Sequence, residues 1–325
     1  MTIESDAIYD ENHILQFWCP VCHGSSLKIE EETLHCPLCF ACFPVVRSIP
    51  ILINDSKSVF AVSDYIDRGG YEGVAYGTQT DRQRGVRRLY RRMAQRLSEF
   101  AIPTSHVTAE AALAAFCRDR SVRPRVLVLG AGNTRYDEPA EVIYTDVAFS
   151  PGIGAIADGH DLPFDDGSFD FVLAVSVLEH VADPPRVVSE IWRVLAPEGR
   201  VYAATPFLQP VHMGAYDFTR FTPLGHRRLF RRFSEIDSGM ALGPGVVAGW
   251  SLRMVLANLF PSRRWRAATS FVCLLLSVPL KLLDFATRRN PASLDGAGGV
   301  YFYGTRQEVA LPDREIIGLY RGGFS

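Results

Sequence analysis

The chain has 325 residues, a hydrophobic fraction of 47%, 22% charged residues and a formal net charge of −2. This is the composition of an ordinary soluble protein, and it excludes a global attraction to nucleic acid or membrane. There is no internal repeat or low-complexity tract, and the length accommodates one large α/β domain with a small appendage. No basic segment followed by an apolar core opens the chain, so no secretory signal is expected. The seven cysteines are therefore expected to be reduced, in a cytoplasmic compartment.

The first organised segment, residues 1–56, contains Cys19-Pro-Val-Cys22 and Cys36-Pro-Leu-Cys39, with thirteen residues between the two pairs. This is zinc-ribbon spacing, because each CxxC turn aims two thiolates at one point and four thiolates close a tetrahedral shell. A closed shell has no open position for water, so the expected Zn2+ is structural. Cys42 is a spare thiol nearby. The cysteine pairs and the run from Phe43 to Ile53 resemble the small zinc-ribbon family related to the activator subunit of several tRNA and protein methyltransferases. Phe43 and Ser48 stand where that family usually has Tyr and Gly. The resemblance implies a docking module and no catalysis.

Residues 57–123 read as a helical linker. Arg82, Arg84, Arg87, Arg88, Arg91, Arg92 and Arg96 accompany Val86, Leu89, Tyr90, Met93 and Leu97 at helical spacing, a basic amphipathic pattern. Such a helix suits an anionic membrane surface, RNA phosphates, or the protein's own core with its arginines solvated. A second short helix is expected around Ala109 to Asp119, and Pro124 marks the boundary of the next domain, 124–325.

That domain opens on Arg125-Val-Leu-Val-Leu-Gly-Ala-Gly-Asn-Thr134, a buried strand running into a glycine turn that lets backbone approach a ligand. Val142 to Thr145 reads as a second strand ending at Asp146, an acid placed to bond ribose hydroxyls. Arg135 stands where a dinucleotide fingerprint would have its third glycine, which favours a nucleoside cofactor without phosphates. Phe169 to Val175 follows the turn formers Asp165, Asp166 and Gly167 and has the apolar run of a strand buried on both faces. Ser176 to His180 then lies at its carboxyl end, where open α/β sheets bind ligands.

Gly130, Gly132, Asp146, Asp158, Leu162-Pro163-Phe164, Asp170 and Leu178-Glu179-His180-Val181 resemble, in order, the motifs of the type-11 methyltransferase family of class I S-adenosylmethionine-dependent enzymes. The resemblance covers roughly residues 124 to 235. It implies an α/β, Rossmann-like seven-stranded methyltransferase sheet, here with an N-terminal zinc ribbon and a helical insertion near the C-terminus. It also implies S-adenosyl-L-methionine as cofactor. Gly130, Ala131 and Gly132 would face its methionine and ribose, Asp146 the ribose diol, and Asp158 with Gly159 the adenine. Val147, His160 and Ser176 complete the expected set. Three departures stand out: Val128 replaces a common first-strand acid, Glu198 replaces a usual Gly, and only nine residues separate Gly132 from Val142, which abbreviates the first crossover.

The segment Thr205 to Thr222 is rich in His, Tyr, Asp and Arg and is the expected acceptor loop. His180 or His212 is the candidate base for a hydroxyl acceptor, with Asp217 orienting the imidazole and Arg220 holding an acidic group on the substrate. Phe233 to Ala241 and Gly299 to Gly304 read as the last strands, with an apolar insertion over 245–295 between them. Within it Phe271 to Leu283, interrupted by Pro279 and Lys281, reads as too short and broken for a transmembrane helix. A cap over the acceptor or an interfacial anchor is expected, with peripheral membrane contact in the latter case. The leading expectation is methyl transfer to a hydroxyl of a small or lipid-linked metabolite, such as a quinone precursor, a glycan or a secondary metabolite. The alternatives are an rRNA or tRNA methyltransferase that uses the ribbon and arginine helix to bind RNA, and a non-catalytic adaptor with a degenerate cofactor pocket.

Overall fold

The computed structural model describes residues 16–70, 93–98, 100–118 and 120–323. Among these there are eleven strands: β1 (Lys28–Glu30), β2 (Thr33–His35), β3 (Cys42–Val46), β4 (Ile49–Leu52), β5 (Arg125–Leu129), β6 (Glu141–Asp146), β7 (Ala155–Ala157), β8 (Phe169–Val175), β9 (Leu195–Pro206), β10 (Phe233–Leu242) and β11 (Gly299–Arg306). The helices are α1 (Val62–Asp67), α2 (Ala109–Arg118), α3 (Pro184–Val194), α4 (Pro223–Leu229), α5 (Pro244–Asn258), α6 (Arg263–Thr287) and α7 (Asp313–Ile317). β5 to β11 lie after residue 124, and because β4 of the amino-terminal segment also pairs with β7, the strand count differs from the seven expected. Arg82, Arg84, Arg87, Arg88, Arg91 and Arg92 of the expected basic helix lie outside the described residues. Met93, Arg96 and Leu97 fall in a helical stretch, 93–98.

The chain divides into two compact units, one comprising Met1–Tyr76, Leu113–Leu173 and Val181–Arg200, the other Gly77–Ala112, Ala174–His180 and Val201–Ser325. In the first, β1 to β4 form an antiparallel meander, and β4 then pairs in parallel with β7 through Ile51↔Ile156 and Leu52↔Ala157. β7 pairs with β6 and β6 with β5, also in parallel. The reason lies in composition: Val126 to Leu129 and Phe171 to Ala174 are buried without a break, the pattern of strands covered on both faces. α3 starts where Asp183 accepts a hydrogen bond from the Arg186 N–H, with Pro184 in the first turn, and buries Val187, Val188, Ile191 and Val194.

β9 begins at Leu195, immediately after α3, and contains Glu198, whose φ of 61° is left-handed. A side chain with a Cβ is strained there, by roughly 1 kcal/mol. Gly199 beside it is fixed by space instead, because a Cβ there would lie 2.8 Å from the Ala196 carbonyl oxygen.

In the second unit β10 and β11 are antiparallel, from Phe233↔Arg306 to Leu242↔Gly299. Phe230, Phe233, Tyr301 and Phe302 are buried around them, with the Phe230 and Phe302 rings stacked at 4.9 Å. Between these strands α5 and α6 pack closely because Gly245 and Gly249 carry no side chain. A Cβ on Gly245 would meet the Leu280 carbonyl oxygen at 2.0 Å, and one on Gly249 the Ser277 Cβ at 2.6 Å.

α6 corrects the expectation of a short, broken segment, since it runs for 25 residues through Pro279 and is long and apolar enough to cross a membrane by length and composition. Lys281 does not interrupt it. Its Nζ donates to the Leu97 and Ser98 carbonyls at 2.7 and 3.2 Å, so the buried charge has acceptors. Asp284, also buried, accepts from the N–H groups of Gly245 and Val246.

Two stability measurements follow from these positions. Glu198→Gly is expected to raise the thermal midpoint by about 2–4 °C, by relieving strain of about 1 kcal/mol. An unchanged or lower midpoint would contradict the strained turn. His226 on α4 is 1% exposed, and burial pushes its ring down to about 3. The native ring therefore stays neutral while the unfolded one protonates near its ordinary value of 6.5. The unfolded chain binds the extra proton in between, so this contribution to stability is present above pH 6.5 and is lost as pH falls toward 3, by at most about 1.4 kcal/mol per unit. Denaturant titrations of His226→Phe between pH 7 and 4 should show a shallower decline than the wild type.

Candidate functional site

Three groups of residues carry the chemistry, two in the first unit and one in the second. The Sγ atoms of Cys19, Cys22, Cys36 and Cys39 lie within 4.8 Å of one another, with Cys19–Cys39 and Cys22–Cys36 both at 3.6 Å. These separations are too long for disulfides and match a tetrahedral thiolate shell with metal–sulfur bonds of about 2.3 Å. The two knuckles repeat one geometry, in which His23 N–H donates to the Cys19 carbonyl and Phe40 N–H to the Cys36 carbonyl, with left-handed backbone at both residues. Burial alone would raise the Cys36 thiol, but the N–H groups of Cys39 and Leu38 bring it down to about 7. Cys42 stands apart, with its Sγ 3.1 Å from His35 Nδ1. The four-thiolate donor set fits a structural zinc ion.

Sequence reasoning missed how this group is anchored. Asp161, nearly buried, accepts from Asn54 Nδ2 at 3.1 Å and from Arg186, and lies 3.5 Å from His23 Nε2. Asn54 also reaches the Pro20 carbonyl inside the first knuckle. A buried Asn directly after an apolar strand was the available signal.

The second group is the turn after β5. Gly130 and Gly132 have φ of 57° and 49°, a backbone shape that glycine adopts without strain. Ala131 N–H bonds the Thr145 carbonyl, Gly132 N–H bonds Asp146 Oδ2 at 2.8 Å, and Ala148 N–H bonds Asp146 Oδ1 at 2.9 Å. No helix separates β5 from β6, as the short spacing implied. Tyr65 OH reaches the carbonyl of Val147 at 2.7 Å.

Asp158, 4% exposed, accepts from Ser58 Oγ at 2.5 Å and from the N–H and Nδ1 of His160 at 3.0 and 2.6 Å. The Asp183 N–H donates to His160 Nε2, which fixes the ring proton on Nδ1. Burial works to raise the Asp158 carboxyl, but His160 and Ser58 outweigh it and hold it below the usual range. Asp146 Oδ2 and Oδ1 each accept a backbone N–H, which places a buried carboxylate at the glycine turn, and a carboxylate acceptor fits a nucleoside diol.

The third group begins at Ser176, whose φ of 56° turns the chain sharply at the end of β8. The Glu179 carbonyl then accepts from the Phe218 and Thr219 N–H groups, which ties the expected acceptor loop to this corner. His180 Nδ1 lies 2.7 Å from the Tyr216 carbonyl oxygen, an acceptor only, so that nitrogen carries the proton and Nε2 a lone pair. His180 Nε2 is 3.1 Å from His212 Nε2, with the rings edge to face. Asp217 Oδ2 accepts from the His212 backbone N–H at 2.7 Å and is 3.4 Å from His212 Nδ1, which also lies 3.5 Å from an Arg220 nitrogen.

Arg220 corrects the expectation of a substrate clamp. Its donors already bond both Asp217 oxygens and the carbonyls of Gln209, Pro210 and Thr219, so it fixes the loop.

Glu179 is fully buried, and among the described residues neither carboxylate oxygen has a hydrogen-bond partner. Its Oε1 is 3.7 Å from His180 Nε2 and 3.8 Å from His212 Nε2. Burial pushes this carboxyl up to about 7, against the attraction of Arg220. Burial likewise lowers His180, which favours its neutral ring. Three groups able to bind a proton or a cation thus converge on one point.

Residues 136–203 match the methyltransferase domain family. The matched span includes Asp146, Asp158, His160, Ser176, Glu179 and His180, and excludes the Gly130–Gly132 turn, His212 and the four cysteines. Among curated proteins the chain is similar to the chloroplastic tocopherol O-methyltransferase of Arabidopsis thaliana, 44% identical over 50 residues, which are 15% of this chain and 14% of that protein. It is also similar to the demethylmenaquinone methyltransferase of Symbiobacterium thermophilum, 38% identical over 73 residues, 21% of this chain and 29% of that one. The chain thus spans less than a third of the length of either relative. Among solved structures it is similar to a complex between the Haloferax volcanii Trm112 methyltransferase activator and a putative methyltransferase, at 20% identity and a TM-score of 0.36, covering 61% of this chain and 91% of that one.

Removing the metal from the four-cysteine group, by chelation or by Cys36→Ser, is expected to lower the thermal midpoint by on the order of 10 °C. Calorimetry with and without chelator measures this, and an unchanged midpoint would mean the thiols hold no structural ion.

Proposed function

Taking the methyltransferase-domain segment at residues 136–203 as the premise, we propose that this chain transfers the methyl group of S-adenosylmethionine to a hydroxyl of a small or lipid-linked metabolite. The observation that carries the reading is the Gly130–Gly132 turn bonded to Asp146, which joins the glycine backbone to an acid inside the matched segment. When bound, the cofactor supplies an electrophilic methyl on a sulfonium sulfur. Gly130, Ala131 and Gly132 admit its methionine and ribose portions along the backbone, and Asp146 is the acceptor for the ribose diol. Val147 follows Asp146 on the ribose side. Asp158, Gly159 and His160 form the adenine edge, held in shape by Ser58.

The acceptor hydroxyl is deprotonated beside the group formed by Glu179, His180 and His212, with Asp217 and Arg220 fixing the loop that carries His212. Methyl transfer is an in-line displacement, so holding the oxygen close and aligned supplies much of the acceleration.

A lipid-linked acceptor is favoured by α6. Val272, Leu275, Leu276, Leu282 and Leu283 are all about half exposed at helical spacing, with Arg263, Arg264 and Arg266 before them and Arg288 and Arg289 after. That pattern supports a cytoplasmic protein in peripheral contact with a membrane.

Radiolabelled methyl transfer into fractionated cell extract tests the reading, with label expected in lipid or small-molecule fractions. Label confined to RNA would replace the acceptor class, and no label with no cofactor bound would end the enzyme reading. His212→Ala is expected to reduce turnover at least about 100-fold with cofactor binding unchanged. Equal loss of both would assign His212 a structural role.

A further inference from the structure

A buried carboxylate without hydrogen-bond partners is costly, and Glu179 stands beside two imidazole nitrogens 3.1 Å apart. They occur here at one point, in the second unit. The Tyr216 carbonyl fixes the His180 proton on Nδ1, so His180 Nε2 presents a lone pair. Without an ion, His212 Nε2–H donates to this lone pair at 3.1 Å, whereas with the His212 proton moved to Nδ1, 3.4 Å from Asp217 Oδ2, His212 presents a second lone pair to the same point. Glu179 Oε1 supplies a third donor atom, at 3.7 and 3.8 Å from the two nitrogens. The point equidistant from all three lies about 2.1 Å from each, the bond length zinc makes to imidazole nitrogen and carboxylate oxygen.

We propose that Glu179 Oε1, His180 Nε2 and His212 Nε2 bind a divalent first-row transition-metal ion of the zinc class, at a site separate from the four cysteines. Two imidazoles and one carboxylate favour such an ion over magnesium or calcium, which prefer oxygen ligands. The surrounding contacts are those of a metal site. Each histidine turns its other ring nitrogen toward an acceptor, His180 to a backbone carbonyl and His212 to Asp217, and such partners fix the ring orientation of metal-bound histidine. A cation at this point supplies the charge that Glu179 lacks. Three protein ligands leave coordination positions open, and His212, with a third of its side chain exposed, lies on the accessible side.

The role of the ion in catalysis rests on the methyl-transfer reading, whereas its binding does not. An acceptor hydroxyl bound at an open position loses its proton to solvent more readily, because the cation stabilises the oxyanion. That oxygen forms the new C–O bond as the methyl–sulfur bond breaks, its electron pair passing to sulfur to leave a neutral thioether. Asp217 is a positioning residue that acts through His212.

Metal content of the untagged full-length chain, equilibrated with Zn2+ and freed of excess, tests the site. Two equivalents per chain are expected in the wild type. One equivalent is expected in Glu179→Gln, an isosteric change, and in His212→Ala, each with wild-type circular dichroism. Asp217→Asn should weaken the second equivalent about 10-fold or more. Co2+ added to chain already holding one zinc should give weak visible bands without thiolate charge transfer. One equivalent in the wild type, or two persisting in both ligand variants, would overturn the site. S-adenosylmethionine titrated into the same samples separates the two readings. Two zinc equivalents with no cofactor binding would sustain the metal site and end the methyl-transfer reading, and one equivalent with cofactor bound would do the reverse.

Discussion

Asp146 is an acid almost completely removed from water, and its two oxygens are matched by the N–H groups of Gly132 and Ala148. Without those donors the buried charge would be untenable, and without the charge the glycine turn would have no reason to hold its left-handed shape. The arrangement of the first unit follows from this pairing. β5 and β6 run side by side so that their carboxyl ends meet at the turn, and the loop between them can be short because the carboxylate does the joining that a helix usually does. Asp158 and Asp161 extend the same solution, the first satisfied by the nearby His160 and the distant Ser58, the second by Asn54 and Arg186, both distant in the chain.

Glu179 is the exception among these buried acids. It comes directly after the sharp turn at Ser176 and its carbonyl anchors the loop at Phe218 and Thr219, yet its carboxylate is left without donors. Natural structures leave such a group bare where something else completes it. That Asp217 and Arg220 hold each other beside it, with every Arg220 donor engaged, means the loop is built to keep His212 in place. Rigidity of this kind is what pre-organised chemistry requires.

Much of this was legible in the chain. Val126 to Leu129 and Phe171 to Ala174 announce buried parallel strands because no polar residue interrupts them, and the cysteine spacing announces a four-thiolate shell. The limits of legibility have physical causes. Lys281 and Pro279 look like interruptions in a helix, but the acceptors that satisfy Lys281 are carbonyls at Leu97 and Ser98, far away in sequence. Arg220 looks like a free anion clamp, because nothing in the order of residues reveals that Asp217 and three carbonyls take its donors. Glu179 and His180 are adjacent in the chain, while their convergence with His212 depends on a loop pinned by backbone hydrogen bonds that carry no side-chain signature.

The central claim is that the Asp146-braced turn holds a nucleoside sulfonium. Titration calorimetry of the full chain with S-adenosylhomocysteine, the demethylated product, tests it most directly. The account predicts saturable one-to-one binding by the wild type and at least about a 10-fold loss in Asp146→Asn, which keeps the shape and removes the charge. Absence of binding by the wild type, or equal affinity in both proteins, would contradict it.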